Sequence, residues 1–330
     1  MISIKNQGND PHFNLALEEY ALKYLNPEEN YVILWQNEPS IIIGRNQNTI
    51  EEINTTYVKE NNINVVRRLS GGGAVYHDFG NLNFTFIVTI KDDSDVNNFK
   101  KFTEPVIKAL DKFGIKAELS GRNDITIDGK KFSGNAQYFY KNRLLHHGTI
   151  LFNSNLAVVQ ETLNVKQDKI ESKGVKSVKS RVTNVHPYLE EKIDVKEFKE
   201  ALLGYLMEDE NNKQQYILNE EDLKKIRELM EERYLKWQWN YGASPKYSIQ
   251  KTKRFPWGGV EIRLKVVEGM IEDCVIFGDF FSSEDLDSLT EKLKGLKYKE
   301  EEVAETLGSI DLPTYFRGIE EGDFLKCMFE

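Results

Sequence analysis

The stretch RRLSGGGAVYHDFGN, residues 67–81, places two arginines and a serine directly before three consecutive glycines. Because glycine has no Cβ, such a run can turn several backbone N–H groups toward one point and form an anion-binding concavity. The guanidinium groups of Arg67 and Arg68 and the hydroxyl of Ser70 would add donors to the same anion. A lone glycine triplet is more often a tight turn between strands, but these neighbours favour a phosphate or carboxylate site.

The glycine-rich loop fits neither of the common nucleotide-binding signatures. It has no GxxxxGK[ST] sequence, as a Walker A loop would, and no GxGxxG spacing, as a dinucleotide-binding fold would. Any nucleotide bound here would therefore need a different scaffold.

A second polar cluster is GRNDITIDGKKFSGNAQ, residues 121–137. Lys131 follows a predicted hairpin turn and precedes two small residues, so its ammonium could be held near a ligand, although an exposed turn lysine is the simpler alternative. Asn123 and Asp124 offer hard oxygen ligands for Mg²⁺. A carboxylate beside a turn can also be only a cap.

Two further segments carry polar groups for which the sequence allows both a structural and a functional role. HHGT, residues 146–149, lies inside an apolar strand pattern, where a histidine is more often a hydrogen-bonded core group than a ligand. ESKGVKSVKSR, residues 171–181, holds four basic residues against one acid: Lys173, Lys176, Lys179 and Arg181. This segment is either a solvated basic loop or a contact for nucleotide phosphates or an acidic partner.

The hydrophobic pattern predicts an α+β protein. Strands and helices occur without the steady alternation of a doubly wound parallel sheet. The predicted elements are a helix capped by Asp10 with Phe13, Ala16, Leu17, Tyr20 and Tyr24 on one face, strands at 31–36 and 40–45 joined by a turn, a strand at 81–90 with one buried face, a helix ending at Gly114, a hairpin at 124–132, a strand at 144–152, two helices before 239, and a small unit of strands and a helix from 246 onward.

Length, charge and cysteine content narrow the class of protein. The 330 residues suffice for two domains. The net charge is −9, and residues 1–245 carry only −3 of it, which disfavours a general nucleic-acid binder. With only two cysteines, Cys274 and Cys327, we expect neither a disulfide framework nor a thiolate zinc site. With no leader and no membrane span in the sequence, we expect a cytoplasmic protein.

Five motifs together carry a resemblance to a known family. RRLSGGGAVYHDFGN, GRNDITIDGKKFSGNAQ, HHGTILF, KGVKSVKSRVTN and RFPWGGVE stand in the order and spacing of lipoate-protein ligase A. The similarity covers nearly the whole chain, from FNLALEEY onward. It implies a catalytic domain of the biotin and lipoate ligase fold, with mixed sheets and packed helices, over residues 1–245, followed by a small α+β accessory domain over 246–330.

The resemblance also implies a reaction. The lipoate carboxylate would attack the α-phosphate of ATP, with Mg²⁺, to give lipoyl-AMP and pyrophosphate. A lysine of the acceptor protein would then take the lipoyl group. The implied acceptors are the lipoyl domains of 2-oxoacid dehydrogenase E2 subunits and the glycine-cleavage H protein.

Site residues follow by matching motif positions. The family's ATP contacts fall on Arg68, Gly73, Ala74, Val75, Tyr76 and Lys131. Its lipoate contacts fall on Lys131, Ser70, His147 and Asn81, its catalytic lysine on Lys131, and its metal-site pair on Asn123 and Asp124. This chain has Leu69 where the family often has a smaller residue. We expect the acyl tail to lie in an apolar slot lined by strand residues around 41–43 and 84–88.

Three alternatives remain at this stage. A cysteine-dependent octanoyl- or lipoyl-transferase of the same fold would need a reactive thiol, and residues 1–245 contain no cysteine. A biotin ligase would need a GRGRxGR loop, whereas SIIIGRNQN offers only one Gly-Arg pair. A non-catalytic protein that binds nucleotide or lipoyl domains would take up ATP without releasing pyrophosphate.

Overall fold

The computed structural model describes residues 1–6, 8–90, 97–163, 182–208, 214–241, 249–267 and 269–329. The strands of these residues, in chain order, are β1 Ile2–Ile4, β2 Tyr31–Trp35, β3 Ser40–Ile43, β4 Asn64–Arg67, β5 Val75–His77, β6 Asn81–Thr89, β7 Glu118–Ser120, β8 Asp124–Ile127, β9 Lys130–Tyr140, β10 Arg143–Leu151, β11 Gln214–Tyr216, β12 Ile249–Phe255, β13 Gly258–Val267 and β14 Met270–Gly278.

The α-helices of the same residues are α1 Pro11–Lys23, α2 Thr49–Glu52, α3 Thr55–Glu60, α4 Phe99–Asp111, α5 Leu156–Thr162, α6 Val195–Leu206, α7 Glu220–Leu229, α8 Trp237–Asn240, α9 Leu286–Leu293, α10 Glu300–Leu307, α11 Leu312–Tyr315 and α12 Asp323–Phe329. A 3₁₀ turn spans His186–Tyr188, and a π-helical turn, Met230–Tyr234, extends α7. Within the described ranges, no helix has both the length and the apolar character to cross a bilayer.

A mixed eight-stranded sheet forms the main scaffold, in the order β11-β1-β2-β6-β10-β9-β8-β7. β1 runs parallel to both β11 and β2, and β6, β10, β9, β8 and β7 pair antiparallel in succession. One hydrophobic cluster, with α4 and α6, covers one face; a second cluster, with α1 and α7, covers the other. The α+β prediction is therefore confirmed.

A small three-stranded sheet, β4-β3-β5, presents the glycine-rich loop. β3 pairs parallel with β4 and antiparallel with β5, and residues 68–74 connect β4 to β5. The predicted strands at 31–36 and 40–45 both exist and are joined by a short connection, but they belong to different sheets. The loop is thus held at both ends by strands that share β3 as their neighbour.

The structure differs from the sequence pattern at two points. The 81–90 strand was expected to bury one face, yet residues 81–88 of β6 are all buried, because helices cover both faces of the sheet. The sequence pattern puts Tyr24 on the same helix face as Phe13, Ala16, Leu17 and Tyr20, but Tyr24 lies just beyond the helix end and is 51% exposed. The predicted hairpin at Asp128-Gly129 is confirmed, since both residues adopt the positive φ of a tight two-residue turn.

Residues 249–329 form a three-stranded antiparallel sheet, β12-β13-β14, with its own hydrophobic cluster and helices. The predicted boundary near 246 falls at 242–248, outside the described residues, and stays a prediction. This C-terminal unit packs against the segment that follows β3: the backbone N–H of Gly278 donates to the Asn46 carbonyl at 2.6 Å, and Arg45 pairs with Asp285 at 2.6 Å.

The close packing of the glycine-rich loop on β3 predicts the effect of one substitution. A Cβ on Gly44 would lie 1.9 Å from the Gly72 carbonyl oxygen, and that neighbour is backbone, so Gly44→Ala must displace the loop. We expect this variant to lose about 2 kcal/mol or more of unfolding free energy, measured by urea denaturation.

Gly204 in α6 provides the matched control, since a Cβ there meets nothing within 4 Å. Gly204→Ala should leave stability unchanged or raise it by about 0.5–1 kcal/mol, because alanine has the better helix propensity. Equal stabilities for the two variants would contradict this account of the loop.

Candidate active site

A cavity of about 150 Å³ lies between the glycine-rich loop, β9 and β10. Of the residues predicted to bind ligands, it brings together Arg68, Gly73, Ala74, Val75, Asn123, Lys131 and His147. Its wall also includes residues that sequence reasoning did not single out: Leu15, Trp35, Gly72, His77, Asn83, Gly134, Asn135, Ala136, Gly148 and Thr149. Segments distant in sequence thus converge on one site.

Arg68 shapes the glycine-rich loop from behind. Its guanidinium is buried and donates to the carbonyl oxygens of Gly71 at 2.7 Å, Gly73 at 2.9 Å and Ile42 at 3.1 Å. In a trans peptide the N–H of the next residue points opposite to the carbonyl. Drawing these carbonyls toward Arg68 therefore turns the N–H groups of Gly72 and Ala74 away from it, and both of those residues line the cavity.

Gly72 has to be glycine for two reasons. Its φ is +92°, a region that L-residues with a Cβ avoid, and an added Cβ would lie 2.9 Å from the Arg68 guanidinium. Burial lowers the pKa of Arg68 to about 10, so the group still carries its charge at pH 7. The loop therefore surrounds a buried positive charge.

Arg67 does not belong to the site, and the prediction that it shares an anion with Arg68 is wrong. Its guanidinium donates to the carbonyl oxygens of Gly44, Gln47 and Trp239 at 2.7–2.9 Å and to the hydroxyl of Thr49 at 2.7 Å. Neighbouring residues on a strand point to opposite faces, so only one of the two arginines could face the cavity side. Arg67 instead ties the small sheet to α8 and the segment after β3.

Lys131 lines the cavity at the start of β9 with its side chain 41% exposed. Its ammonium lies 2.7 Å from Asp124 Oδ1 on the neighbouring strand. It also lies 3.0 Å from where a Cβ on Gly134 would be, so it extends over that glycine toward the cavity. A phosphate or carboxylate entering here would meet a cation that, among the described residues, is paired with one acid, Asp124.

The metal-site residues are only partly suited to holding an ion on their own. Asp124 pairs with Lys131, and the Asn123 side-chain amide donates to the Asn135 carbonyl at 2.6 Å. No cluster of three His, Cys, Asp or Glu side chains occurs among the residues that the structure describes. Such a site could add at most one or two ligands to a Mg²⁺ carried in by nucleotide phosphates, which is how Mg²⁺ usually binds.

His147 and Ser70 are linked at the other end of the cavity. Ser70 Oγ lies 2.6 Å from His147 Nε2, and His147 Nδ1 lies 3.0 and 3.1 Å from the two carboxylate oxygens of Glu18 on α1. His147 lines the cavity, while Ser70 is buried one step behind it. Sequence reasoning missed Glu18; the signal available was the pair of acids within the apolar helix LALEEY.

The other buried histidines near the cavity are uncharged. Burial, with the nearby charge of Arg68, lowers the pKa of His77 to about 3. Burial also holds the pKa of His146 well below its usual range, and its ring is packed against Phe84 and Phe102. The prediction that one histidine of HHGT is a hydrogen-bonded core group is confirmed for His146, whose ring nitrogens contact Gln137 and Asn135.

Besides Ser70 and Asp124, two more predicted site residues lie outside the cavity wall. Asn81 donates to the side-chain oxygen of Asn83 at 3.0 Å, and it is Asn83 that lines the cavity. The Tyr76 ring packs in the separate hydrophobic cluster beneath β3, so only its backbone could meet a nucleotide. The roles given to both residues stay predictions.

The predicted apolar slot is half wrong. Ile42 lines the cavity as expected, but Phe84, Phe86 and Val88 pack in the core on the far face of the sheet. The apolar wall comes instead from residues of α1, β2, β5 and β9: Leu15, Trp35, Val75 and Ala136. No part of the basic segment 171–181 lies within the described residues; Val182, directly after it, pairs with Lys131.

Comparison with known proteins decides the family. The profile of the lipoyl protein ligase A/B catalytic domain matches residues 10–207, and that of the bacterial lipoate protein ligase C-terminus matches residues 244–328. Lipoate-protein ligase LplJ of Bacillus subtilis is 52% identical, with all of both chains covered. Lipoate–protein ligase 1 of Staphylococcus aureus is 46% identical, with 98% of each chain covered.

The chain belongs to the lipoate-protein ligase family. Solved structures of the family confirm the fold class. The P. falciparum protein LipL1 in complex with lipoate superposes with a TM-score of 0.75 at 30% identity, over 94% of each chain. A lipoate-protein ligase A bound with ATP superposes with a TM-score of 0.65 at 26% identity, covering 73% of this chain and 98% of that one. The bi-partite ligase of Thermoplasma acidophilum, studied with its E2 lipoyl domain, superposes with a TM-score of 0.66 at 28% identity. The match covers 75% of this chain and 98% of that one.

Neither cysteine of this ligase is placed for covalent catalysis. Both lie buried in the C-terminal hydrophobic cluster, where burial raises the pKa of Cys274 to about 12 and that of Cys327 to about 11. A thiol whose pKa is 12 is ionised only about one part in ten thousand at pH 8. This placement is unsuited to an acyl-thioenzyme.

We expect both thiols to resist a colourimetric disulfide reagent at pH 8 until the protein is unfolded, with rates at least about 100-fold below those of the denatured chain. A Cys274→Ala, Cys327→Ala double variant that remains folded should keep its activity within about twofold. Fast labelling of the native protein, coupled to loss of activity, would show that a thiol takes part after all.

Proposed function

We propose that this chain activates lipoate with MgATP to form lipoyl-AMP and then transfers the lipoyl group to a lysine of a lipoyl domain. The observation that carries the proposal is one cavity that joins outward-facing loop amides, a cationic end at Lys131 and an apolar end at Trp35. These are the groups that phosphates, a carboxylate and an acyl tail require. Relatives of this chain whose structures contain lipoate or ATP support the proposal.

The cavity has a polarity that orients the substrate. Lys131 extends over Gly134, whereas His147 lies opposite Ala136, two residues farther along the same strand face. Two same-face positions on a strand are separated by about 7 Å. The carboxylate and the α-phosphate would therefore meet near Lys131, and the acyl tail would extend toward Ala136, Trp35 and Leu15.

The first step brings two anions together. A carboxylate oxygen attacks the α-phosphorus, a new C–O–P linkage forms, and the bond to the β-phosphate breaks to release pyrophosphate. Lys131 and the N–H groups of Gly72 and Ala74 offer fixed positive charge and donors for this meeting. Mg²⁺ would enter as part of the MgATP substrate, where Asp124, 2.7 Å from Lys131, and Asn123, in the cavity wall, could contact it.

The second step needs a neutral amine. A lysine with a pKa of about 10.4 is neutral only about 0.04% of the time at pH 7, which corresponds to roughly 4.6 kcal/mol. The acceptor nitrogen attacks the carbonyl of the mixed anhydride, AMP leaves, and the nitrogen loses its proton. Lipoyl domains of 2-oxoacid dehydrogenase E2 subunits and the glycine-cleavage H protein are the proposed acceptors. The cytoplasmic location stays a prediction.

The function is tested by mixing the protein with ATP, Mg²⁺, lipoate and a purified lipoyl domain and following the mass of the acceptor. We expect a gain of one lipoyl group that requires ATP and is accompanied by pyrophosphate release. A gain that occurs from an octanoyl thioester without ATP would identify a transferase instead. ATP binding without pyrophosphate release would identify a non-catalytic binder.

Lys131→Ala should reduce lipoate-dependent pyrophosphate release by about 100- to 1000-fold. One unit charge at about 4 Å is worth roughly 4 kcal/mol at an effective dielectric near 20, before desolvation is counted. Lys130→Ala is the matched control, because Lys130 is the preceding residue of the same strand and is exposed. Equal rates for the two variants would show that another cation supports the first step.

A further inference from the structure

A chain of buried polar side chains runs from the apolar end of the cavity to the glycine-rich loop. Trp35 Nε1 donates to Thr85 Oγ1 at 2.8 Å, and Thr85 Oγ1 donates to Glu18 Oε1 at 2.5 Å. Glu18 contacts His147, which contacts Ser70, and Arg68 Nε lies 3.0 Å from Ser70 Oγ. Five elements of the fold therefore meet through one continuous set of hydrogen bonds.

The donors at the two ends of this hydrogen-bonded series, Trp35 and Arg68, fix the direction of each hydrogen bond within it. The indole of Trp35 can only donate, so Thr85 accepts from it and gives its own proton to Glu18. Arg68 can likewise only donate, so Ser70 accepts from it and its single hydroxyl proton is left for His147 Nε2. Nε2 must then be an acceptor, and the ring proton stays on Nδ1, where it donates to Glu18.

The orientation of the Ser70 hydroxyl affects the glycine-rich loop through Arg68. Arg68 Nε donates to Ser70 Oγ at 3.0 Å and, more weakly, to the Gly71 carbonyl at 3.2 Å, while the other guanidinium nitrogens bind the carbonyls of Gly71, Gly73 and Ile42. A Ser70 hydroxyl aimed at His147 keeps its lone pairs free for Arg68. If His147 carried its proton on Nε2 instead, Ser70 would face two N–H donors and its own proton would lose its acceptor.

We propose that Glu18 is a positioning residue: by fixing the tautomer of His147 it sets Ser70 and Arg68, and through them the direction of the glycine-loop N–H groups that receive the nucleotide. The inference deepens the proposed function and rests on it for its kinetic consequences. Glu18 itself touches neither the loop nor, by the lining of the cavity, the ligand space. Its effect on nucleotide binding is therefore indirect.

Other charged or titratable groups around His147 do not replace Glu18. Arg68 and Lys131 are cations and cannot accept a proton from Nδ1. His77, across the cavity on β5, contacts Asn37 through its Nδ1. Glu18 is thus the group that can select the tautomer, and its side chain is 4% exposed, so water does not compete for the bond.

Replacing the Glu18 carboxylate by an amide should disturb this series of hydrogen bonds. The site directs two donors, from Thr85 and His147, at Glu18, and a glutamine has one oxygen and an NH₂ group to offer them. Glu18→Gln should therefore shift His147 toward the Nε2–H tautomer. Glu18→Asp, which keeps two acceptor oxygens, should retain the Nδ1–H form.

The direct test is a long-range ¹H–¹⁵N spectrum of the intact protein, with the His147 signals assigned by their loss in His147→Gln. We expect Nδ1–H in the wild type and in Glu18→Asp, and an increased Nε2–H fraction in Glu18→Gln. A wild-type His147 protonated on Nε2, or a Glu18→Gln spectrum unchanged from wild type, would overturn the proposal. The wild-type measurement decides even if Glu18→Gln fails to fold.

The kinetic test follows pyrophosphate release at saturating lipoate. Glu18→Gln should raise the KM for ATP at least about tenfold, since small displacements of positioning groups are costly, and Glu18→Asp should recover most of that loss. Glu19→Gln is the matched control: this buried acid is next to Glu18 on α1 but binds Lys23 at 2.6 Å and Tyr234 at 2.8 Å. It should lose stability without a change in the KM for ATP.

The outcomes separate this inference from the proposed function. Equal KM values for ATP in Glu18→Gln and Glu19→Gln, with an active wild type, would refute the positioning role alone. A wild type that releases no pyrophosphate would refute the proposed function, while the tautomer measurement would still test Glu18. Ser70→Ala should reproduce the Glu18→Gln effect, and the double variant should lose no more than either single one, because both act through the same contact.

Discussion

The buried guanidinium of Arg68 is the constraint on which the site depends. A charge taken out of water costs several kcal/mol unless its donors are satisfied, and here the donors end on carbonyls of the glycine-rich loop and of β3. The loop must therefore present its oxygens inward, and trans peptide geometry sends the adjoining N–H groups outward to the cavity. The arginine of this motif therefore holds the loop in the conformation through which we propose that it binds an anion.

The packing around the loop serves the same arrangement. Gly44, the residue after β3, lies so close to the Gly72 carbonyl that it has no room for a Cβ, and the C-terminal unit brings Phe281 against Gly71 and Gly72. Phe281 also packs on Phe99 and Ala136, the latter a cavity residue. Gly71 and Gly72 are thus packed between two units of the fold, whereas a Cβ on Gly73 would meet nothing within 4 Å.

The different positions of the two neighbouring arginine side chains follow from strand geometry. Arg67 and Arg68 are alike in sequence, both are buried, and burial lowers the pKa of each to about 10. Alternation at the end of β4 sends the first toward α8 and the second toward the loop, so one stabilises the scaffold and the other shapes the site. A similar alternation separates His146, which packs in the aromatic core, from His147, which faces the cavity.

The sequence by itself determined the α+β class, the helix and strand positions that a strong period marks, the Asp128-Gly129 hairpin, and the motifs that place the chain among lipoate-protein ligases. These features are local, since they depend on residues near one another in the chain. Tertiary structure decided which arginine and which histidine face the cavity, that Leu15 and Trp35 rather than the residues of β6 form its apolar wall, and that Glu18 supports His147. Those facts depend on how helices cover both faces of a sheet and bring residues more than a hundred positions apart into contact, which no local pattern records.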